Sequence, residues 1–151
     1  MFNIFVSTVF KKNFNNEIYK NYFLKKLKSC KKSVVATNAG GFQSESFTKV
    51  EKNILHNIFL NPAYEFIKEL NPRQKINLKL LNYWLIFHEG NLTKMSTNYF
   101  KYFDHPNFYT KFVMPTQEGD LYLFTSNTLH HVEPNLSNEE RISVAFNLEI
   151  C

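Results

Sequence analysis

Arg141-Ile-Ser-Val-Ala-Phe-Asn-Leu-Glu-Ile150 alternates strictly between apolar and polar residues, and its reading decides the fold. Ile142, Val144, Phe146 and Leu148 fall on one side of a strand; Arg141, Ser143, Ala145 and Asn147 fall on the other. The apolar side must pack against neighbouring structure. The polar side offers a guanidinium and a hydroxyl two residues apart. That pair suits a carboxylate, because Arg presents a rigid fork for bidentate bonding and Ser adds a third donor. The same residues also suit a barrel rim, with Arg141 in an exposed ion pair to Glu139 or Glu140.

Working back from this strand, residues 120–125, 129–132, 108–113 and 100–103 are further strand candidates, with 118–120 and 135–139 as turn material between them. Ile76, Leu78, Leu80 and Asn82 alternate with Asn77, Lys79, Leu81 and Tyr83, and the run continues to Phe87, which predicts a long strand bent near Leu80. Ahead of Pro72 the pattern changes. Residues 2–7 alternate as a short strand, and the stretch from Lys11 to Lys32 puts Phe14, Ile18, Tyr19, Tyr22, Phe23 and Leu27 along one side of a helix expected over about 15–29. Residues 33–44 predict a strand broken by Gly40-Gly41, which hold half the glycine of the chain and license a shaped turn. A helix is expected over 48–60, capped by Ser46 or Thr48. Pro62 suits the first turn of a further helix to Leu70, and Asn71-Pro72 ends it. The expected class is α+β, with helices packed on one side of a curled sheet. One domain fills residues 1–151: 1–72 as mainly helical support, 73–151 as the β core.

The 151 residues are 44% hydrophobic and only 21% charged, which supplies a packed core and excludes a disordered chain. The net charge of +5 is unevenly placed, with Glu17 the only acid between Lys11 and Lys32. The helical pattern puts most of these lysines on a solvated face, and that reading is preferred to nucleic-acid binding through Lys11–Lys32, for which no zinc-finger, basic-zipper or RNA-binding motif is present. Cys30 and Cys151 have no metal-ligand spacing and make a poor disulfide framework. The apolar start lies ahead of its lysines, the wrong order for a signal peptide, and is too short to span a bilayer. A cytoplasmic protein without membrane attachment is expected.

The segment Glu118-Gly-Asp-Leu-Tyr-Leu-Phe-Thr-Ser, then Leu-His-His-Val-Glu-Pro-Asn, then Glu-Glu-Arg-Ile-Ser-Val-Ala-Phe-Asn147 resembles the C-terminal signature of a 2-oxoglutarate/Fe(II) oxygenase family frequent in phages and marine bacteria. That signature reads approximately G-D-L-x-L-F-P-S, H-x-V-x-P-N and R-I-S-x-x-F-N, with Thr125 here where Pro is usual. Ala36-Thr-Asn-Ala-Gly-Gly-Phe-Gln-Ser44 is similar to the family's S-N-x-G-G-W-Q-S element. Trp84 and Gly90 fall where the family has a W-x-N-x-x-x-x-G strand and turn, with one residue fewer between them. The resemblance implies a double-stranded β-helix (jelly roll) with Fe(II) and 2-oxoglutarate at one mouth. His130 would be the distal iron-binding histidine, Arg141 would grip the far carboxylate of 2-oxoglutarate, and Ser143 would assist. From spacing alone either His130 or His131 faces inward.

The middle of the chain departs from the family. The first two iron ligands of the family come as H-x-H or H-x-D after the Trp/Gly strand, and Ser96 and Asn98 stand at those places. A neutral hydroxyl and an amide are poor ligands for Fe(II). Asp104 or His105, in Asp104-His-Pro106, are the candidates for a displaced ligand, although Phe103-Asp-His-Pro106 also fits a downstream F-x-D-P element without a metal role. Roughly two strands are missing against the eight of a full jelly roll. Both cofactors are therefore conditional on an intact site, no residue is assigned as catalytic, and the substrate is left open. Exposed strand edges would favour a homo-oligomer.

Overall fold

A computed structural model describes residues 8–14, 17–30, 41–88, 114–128, 130, 132, 135 and 137–151. Five strands fall among them, in two antiparallel sheets. β1 (Val9–Asn13) pairs with β4 (Asp120–Phe124), and β3 (Leu78–His88) lies between β2 (Gly41–Gln43) and β5 (Arg141–Ile150). The expected strand over 2–7 and the candidates at 100–103 and 108–113 lie outside the described residues. His130 and Val132, placed by the sequence on a strand, carry no strand pairing.

β5 spans the residues its alternation predicts, and its apolar side packs as expected. Val144, Phe146 and Leu148 rest against a core of Phe23, Ile54, Phe59, Tyr83 and Leu85. β3 is one strand with a change of phase. Leu80 pairs with Leu148 and Asn82 with Asn147, so Leu81 is an extra residue, a β-bulge. Before the bulge the even residue Leu80 packs towards the core; after it the odd residues Tyr83 and Leu85 do, each with no exposed surface. Leu81 itself is 41% exposed. The bend expected near Leu80 is this bulge, and it lets two stretches of opposite phase serve one core.

The helical layer lies across that core. α1 (Glu17–Lys28) buries Phe23 and leans Tyr19, Tyr22 and Leu27 on it, but Ile18 is 68% exposed. The helix expected from residue 48 begins later. Phe47 instead exchanges backbone hydrogen bonds with Tyr83, extending the sheet pairing beyond β2. α2 (Lys52–Ile54) then runs through a π-helical stretch, Leu55–Leu60, into α3 (Asn61–Glu69). The buried positions explain the wide turn: Ile54 to Phe59 is a step of five, followed by steps of four to Ala63 and three to Phe66. Pro62 adds a second reason. In a regular α-helix its ring would press on the carbonyl of Ile58 and its missing N–H would leave that carbonyl unbonded; a π-turn just before it relieves both. Asn71, at φ 51°, closes α3 ahead of Pro72.

α3 also carries the second cluster, Ala63 and Phe66 against Leu123, flanked by Phe10, Leu78, Leu121, Phe146 and Leu148. Lys11 and Lys12, which the sequence placed at the head of a helical lysine face, are on β1 and pair with Asp120 and Glu65; Lys20 on α1 reaches Glu118 at 2.7 Å.

The start of β4 is braced by Asp120. Gly119, at φ 83°, turns the chain so that the Asp120 carboxylate accepts from Asn13 Nδ2 (3.0 Å), the Gln117 N–H (2.8 Å) and Lys11 Nζ (2.9 Å). Solvent does not reach this side chain, although what covers it is chiefly its own partners and not a thick protein layer. The hydrogen bond from Asn13, then that from Gln117 and the pairing with Lys11, hold its carboxyl well below the usual carboxylate range. Because the folded-state value is depressed, the stabilisation is fully present above the unfolded value of about 3.9 and is lost as pH falls from there towards the folded one. Asp120→Asn is therefore expected to lower the urea midpoint by a constant amount above about pH 5, with the gap to wild type closing below about pH 4. A gap independent of pH down to about pH 2 would mean that the charge of Asp120 contributes nothing.

Candidate carboxylate site

Directly opposed residues of an antiparallel pair share a face, so the register of β2, β3 and β5 sorts the sheet into transverse rows. Gly41, His88 and Arg141 form one row by backbone register. Gln43, Ile86 and Ser143 form the next on the same face, then Trp84 with Ala145, then Asn82 with Asn147. The rows between them, Phe42–Phe87–Ile142 and Leu85–Val144, belong to the opposite face, which packs on the helices. The sheet thus has an apolar side buried by helices and a side bearing Arg141, Ser143, Gln43 and the Asn82–Asn147 pair, joined at 3.0 Å.

Ser44 holds β2 in this arrangement. It is buried, its N–H donates to the Leu85 carbonyl at 2.9 Å, and its Oγ accepts from the Leu85 N–H at 3.0 Å while donating to the Glu45 carbonyl at 2.8 Å. A hydroxyl there stands in for a ladder acceptor where β2 leaves the sheet, which accounts for the serine of the Gly-Gly-Phe-Gln-Ser element. Its structural role is not legible from composition or alternation.

Arg141 and Ser143 are both half-buried, and the Arg141 Nε is shielded from solvent. This differs from an exposed rim residue. Burial pushes the guanidinium below its ordinary value, yet arginine stays charged at any working pH. A half-buried guanidinium with a hydroxyl one row away presents donors suited to a carboxylate.

His130 follows β4 and is exposed. Its Nδ1 lies 2.9 Å from the Thr128 carbonyl and its ring is 4.5 Å from that of Phe124. With the proton on Nδ1 donated to that carbonyl, Nε2 is left as the free acceptor, the tautomer a metal ligand needs. Asp104, His105, Ser96 and Asn98 lie outside the described residues. Among the described residues no group of three His, Cys, Asp or Glu side chains could hold a metal ion. An iron site needs more than one imidazole, so the described donors do not fit Fe(II).

Residues 79–147, from β3 into β5, match the model of a family described as "Putative 2OG-Fe(II) oxygenase". Over that stretch, less than half of the chain, the sequence is similar to that family. The matched stretch contains the Gly-Asp-Leu, His-x-Val and Arg-Ile-Ser motifs and takes in His130, Arg141 and Ser143. The Gly-Gly-Phe-Gln-Ser element lies outside it. Neither a search of curated proteins nor one of solved structures returns a match. The family implies Fe(II) and 2-oxoglutarate and suggests an oxygenase-like function. No helix among the described residues is long and apolar enough to cross a membrane.

Proposed function

We propose that this is a 2-oxoglutarate/Fe(II) oxygenase-like protein with a double-stranded β-helix core, and that its polar sheet face binds 2-oxoglutarate through Arg141 and Ser143. The observation that carries the reading is their placement. Both are half-buried on the face opposite the described helices, two residues apart on β5, inside the stretch that matches the family. Arg141 would take the far carboxylate in a two-point contact, and Ser143 would donate to the same group.

A second reading is a relative that keeps the carboxylate pocket without oxidising a substrate. Ser96 and Asn98, standing where the family has its first two iron ligands, favour it. One anaerobic experiment separates the two. Binding of 2-oxoglutarate to the full chain, followed on addition of Fe(II) by a visible charge-transfer band that His130→Ala abolishes, is the outcome expected of an oxygenase. Binding without a band assigns the chain to the second reading. A folded protein that binds no 2-oxoglutarate, with or without Fe(II), overturns both.

A further inference from the structure

We infer that Gln43 is a ligand-positioning residue: a dicarboxylate anchored on Arg141 and Ser143 lies across β5, β3 and β2, and the Gln43 amide donates to the oxygens at its far end. The inference rests on the reading of Arg141 and Ser143 as a carboxylate site and adds a residue that neither the motif match nor that reading assigns a role.

The register carries it. Gln43, Ile86 and Ser143 occupy one row, so the Gln43 side chain shares the face of Ser143 and Arg141. It is half-buried, between Phe42 on the opposite face and the buried Ser44. Two inter-strand spacings separate β2 from β5, about 10 Å between backbones. That span is for a ligand to cross, since a side-chain contact between Gln43 and Ser143 would have to pass over Ile86. The floor beneath it is apolar, which suits a methylene chain. In the neighbouring row, the position on β2 is Gly41, and a strand glycine beside an arginine row leaves space where another side chain would stand. A molecule with a charged head on β5, an apolar middle over Ile86 and a polar tail over β2 matches the chemistry of the three strands in order. Glutamine at the last place offers an N–H₂ donor without a charge, which accommodates an anionic end and discriminates weakly against a neutral one.

The test compares 2-oxoglutarate with its C1 amide, a glutaramate that keeps the 2-oxo group and the carboxylate offered to Arg141, titrated calorimetrically into the full chain with Mn(II) present. Q43E puts a carboxylate against the ligand's far end. It is expected to weaken 2-oxoglutarate about tenfold or more while leaving glutaramate within about threefold, because Glu accepts from the amide of the latter. Q43A, which removes the donor without adding charge, is expected to weaken 2-oxoglutarate by about three- to tenfold, and it decides the matter if Q43E does not fold. Equal losses for both ligands in Q43E, or a Q43A that binds as wild type does, overturn the role of Gln43. If R141M abolishes binding in the same series, the carboxylate site stands regardless. If wild type itself binds neither ligand, the site reading fails and Gln43 falls with it.

Discussion

Phe59→Ala is expected to cost about 3–5 kcal/mol, the range for emptying a fully buried phenylalanine site, out of the roughly 5–15 kcal/mol by which such domains are stable. Phe59 has no exposed surface and sits where three elements converge. Its ring lies 4.7 Å from Phe146 on β5, 5.5 Å from Tyr83 on β3 and 6.3 Å from Phe23 on α1, centroid to centroid. Truncation removes the transfer free energy of the ring and leaves a cavity. The rigid sheet on one side, and on the other a helical stretch fixed by its own π-turn, have little freedom to close it. Urea unfolding should show a lower midpoint with an unchanged slope. Phe59→Leu keeps most of the apolar volume and should lose distinctly less. A loss below about 1 kcal/mol for the alanine variant would place Phe59 at a site far looser than a packed core.

That residue also shows where the sequence was readable. Phe59 is legible as apolar and helical, and the alternation of β5 settles which of its faces Phe146 occupies. What periodicity could not show is the step of five between Ile54 and Phe59. A pattern read at 3.6 residues per turn treats such a step as a break, so the sequence reading ended one helix at Leu60 and began another at Pro62. The continuous run from Lys52 to Glu69 depends on a turn type whose signal, a proline one turn beyond a misfit in spacing, is plain only once the packing is known. Leu81 teaches the same lesson for strands. Alternation on either side of it is clean, but the two stretches are out of phase, and only the pairing with β5 says which residue is extra. The helix expected from Thr48 does not include residues 48–51. The deciding term was the pairing of Phe47 with Tyr83, a contact 36 positions apart in sequence, by subtraction of the two residue numbers.

The candidate site divides in the same way. Arg141 and Ser143 were legible from a strict period of two, which fixes relative direction whatever the partner strands are. Gln43 was not. Its place in the row of Ser143 comes from two registers in series, β2 on β3 and β3 on β5, which no local pattern reveals. His130 needed its tautomer partner, the Thr128 carbonyl, which no spacing rule supplies. Asp104 and His105, named from motif position, lie outside the described residues, and their metal role rests on sequence alone.

Arg141→Met is expected to weaken 2-oxoglutarate binding by roughly 30-fold to several thousandfold, the equivalent of the 2–5 kcal/mol that follows removal of one partner from a desolvated charge pair. The loss should be steep because, of the Arg141 and Ser143 pair, only the Ser143 hydroxyl would remain to donate to the ligand's carboxylate, beside Ile86 in its row. Arg141→Lys restores the charge but not the fork, and should recover part of the affinity. The stability of these variants carries equal weight. Burial opposes the charge of Arg141 in the ligand-free fold, as the lowering of its pKa indicates. Methionine of similar reach keeps the apolar stem of Arg141 over the sheet, so Arg141→Met should unfold at a urea concentration close to that of wild type. A structural arginine would behave in the opposite way, with stability falling and affinity falling only as a consequence. Measuring both quantities on the same variant therefore separates the two roles. Lost binding on an equally stable fold means that Arg141 is held in place for the acid it receives.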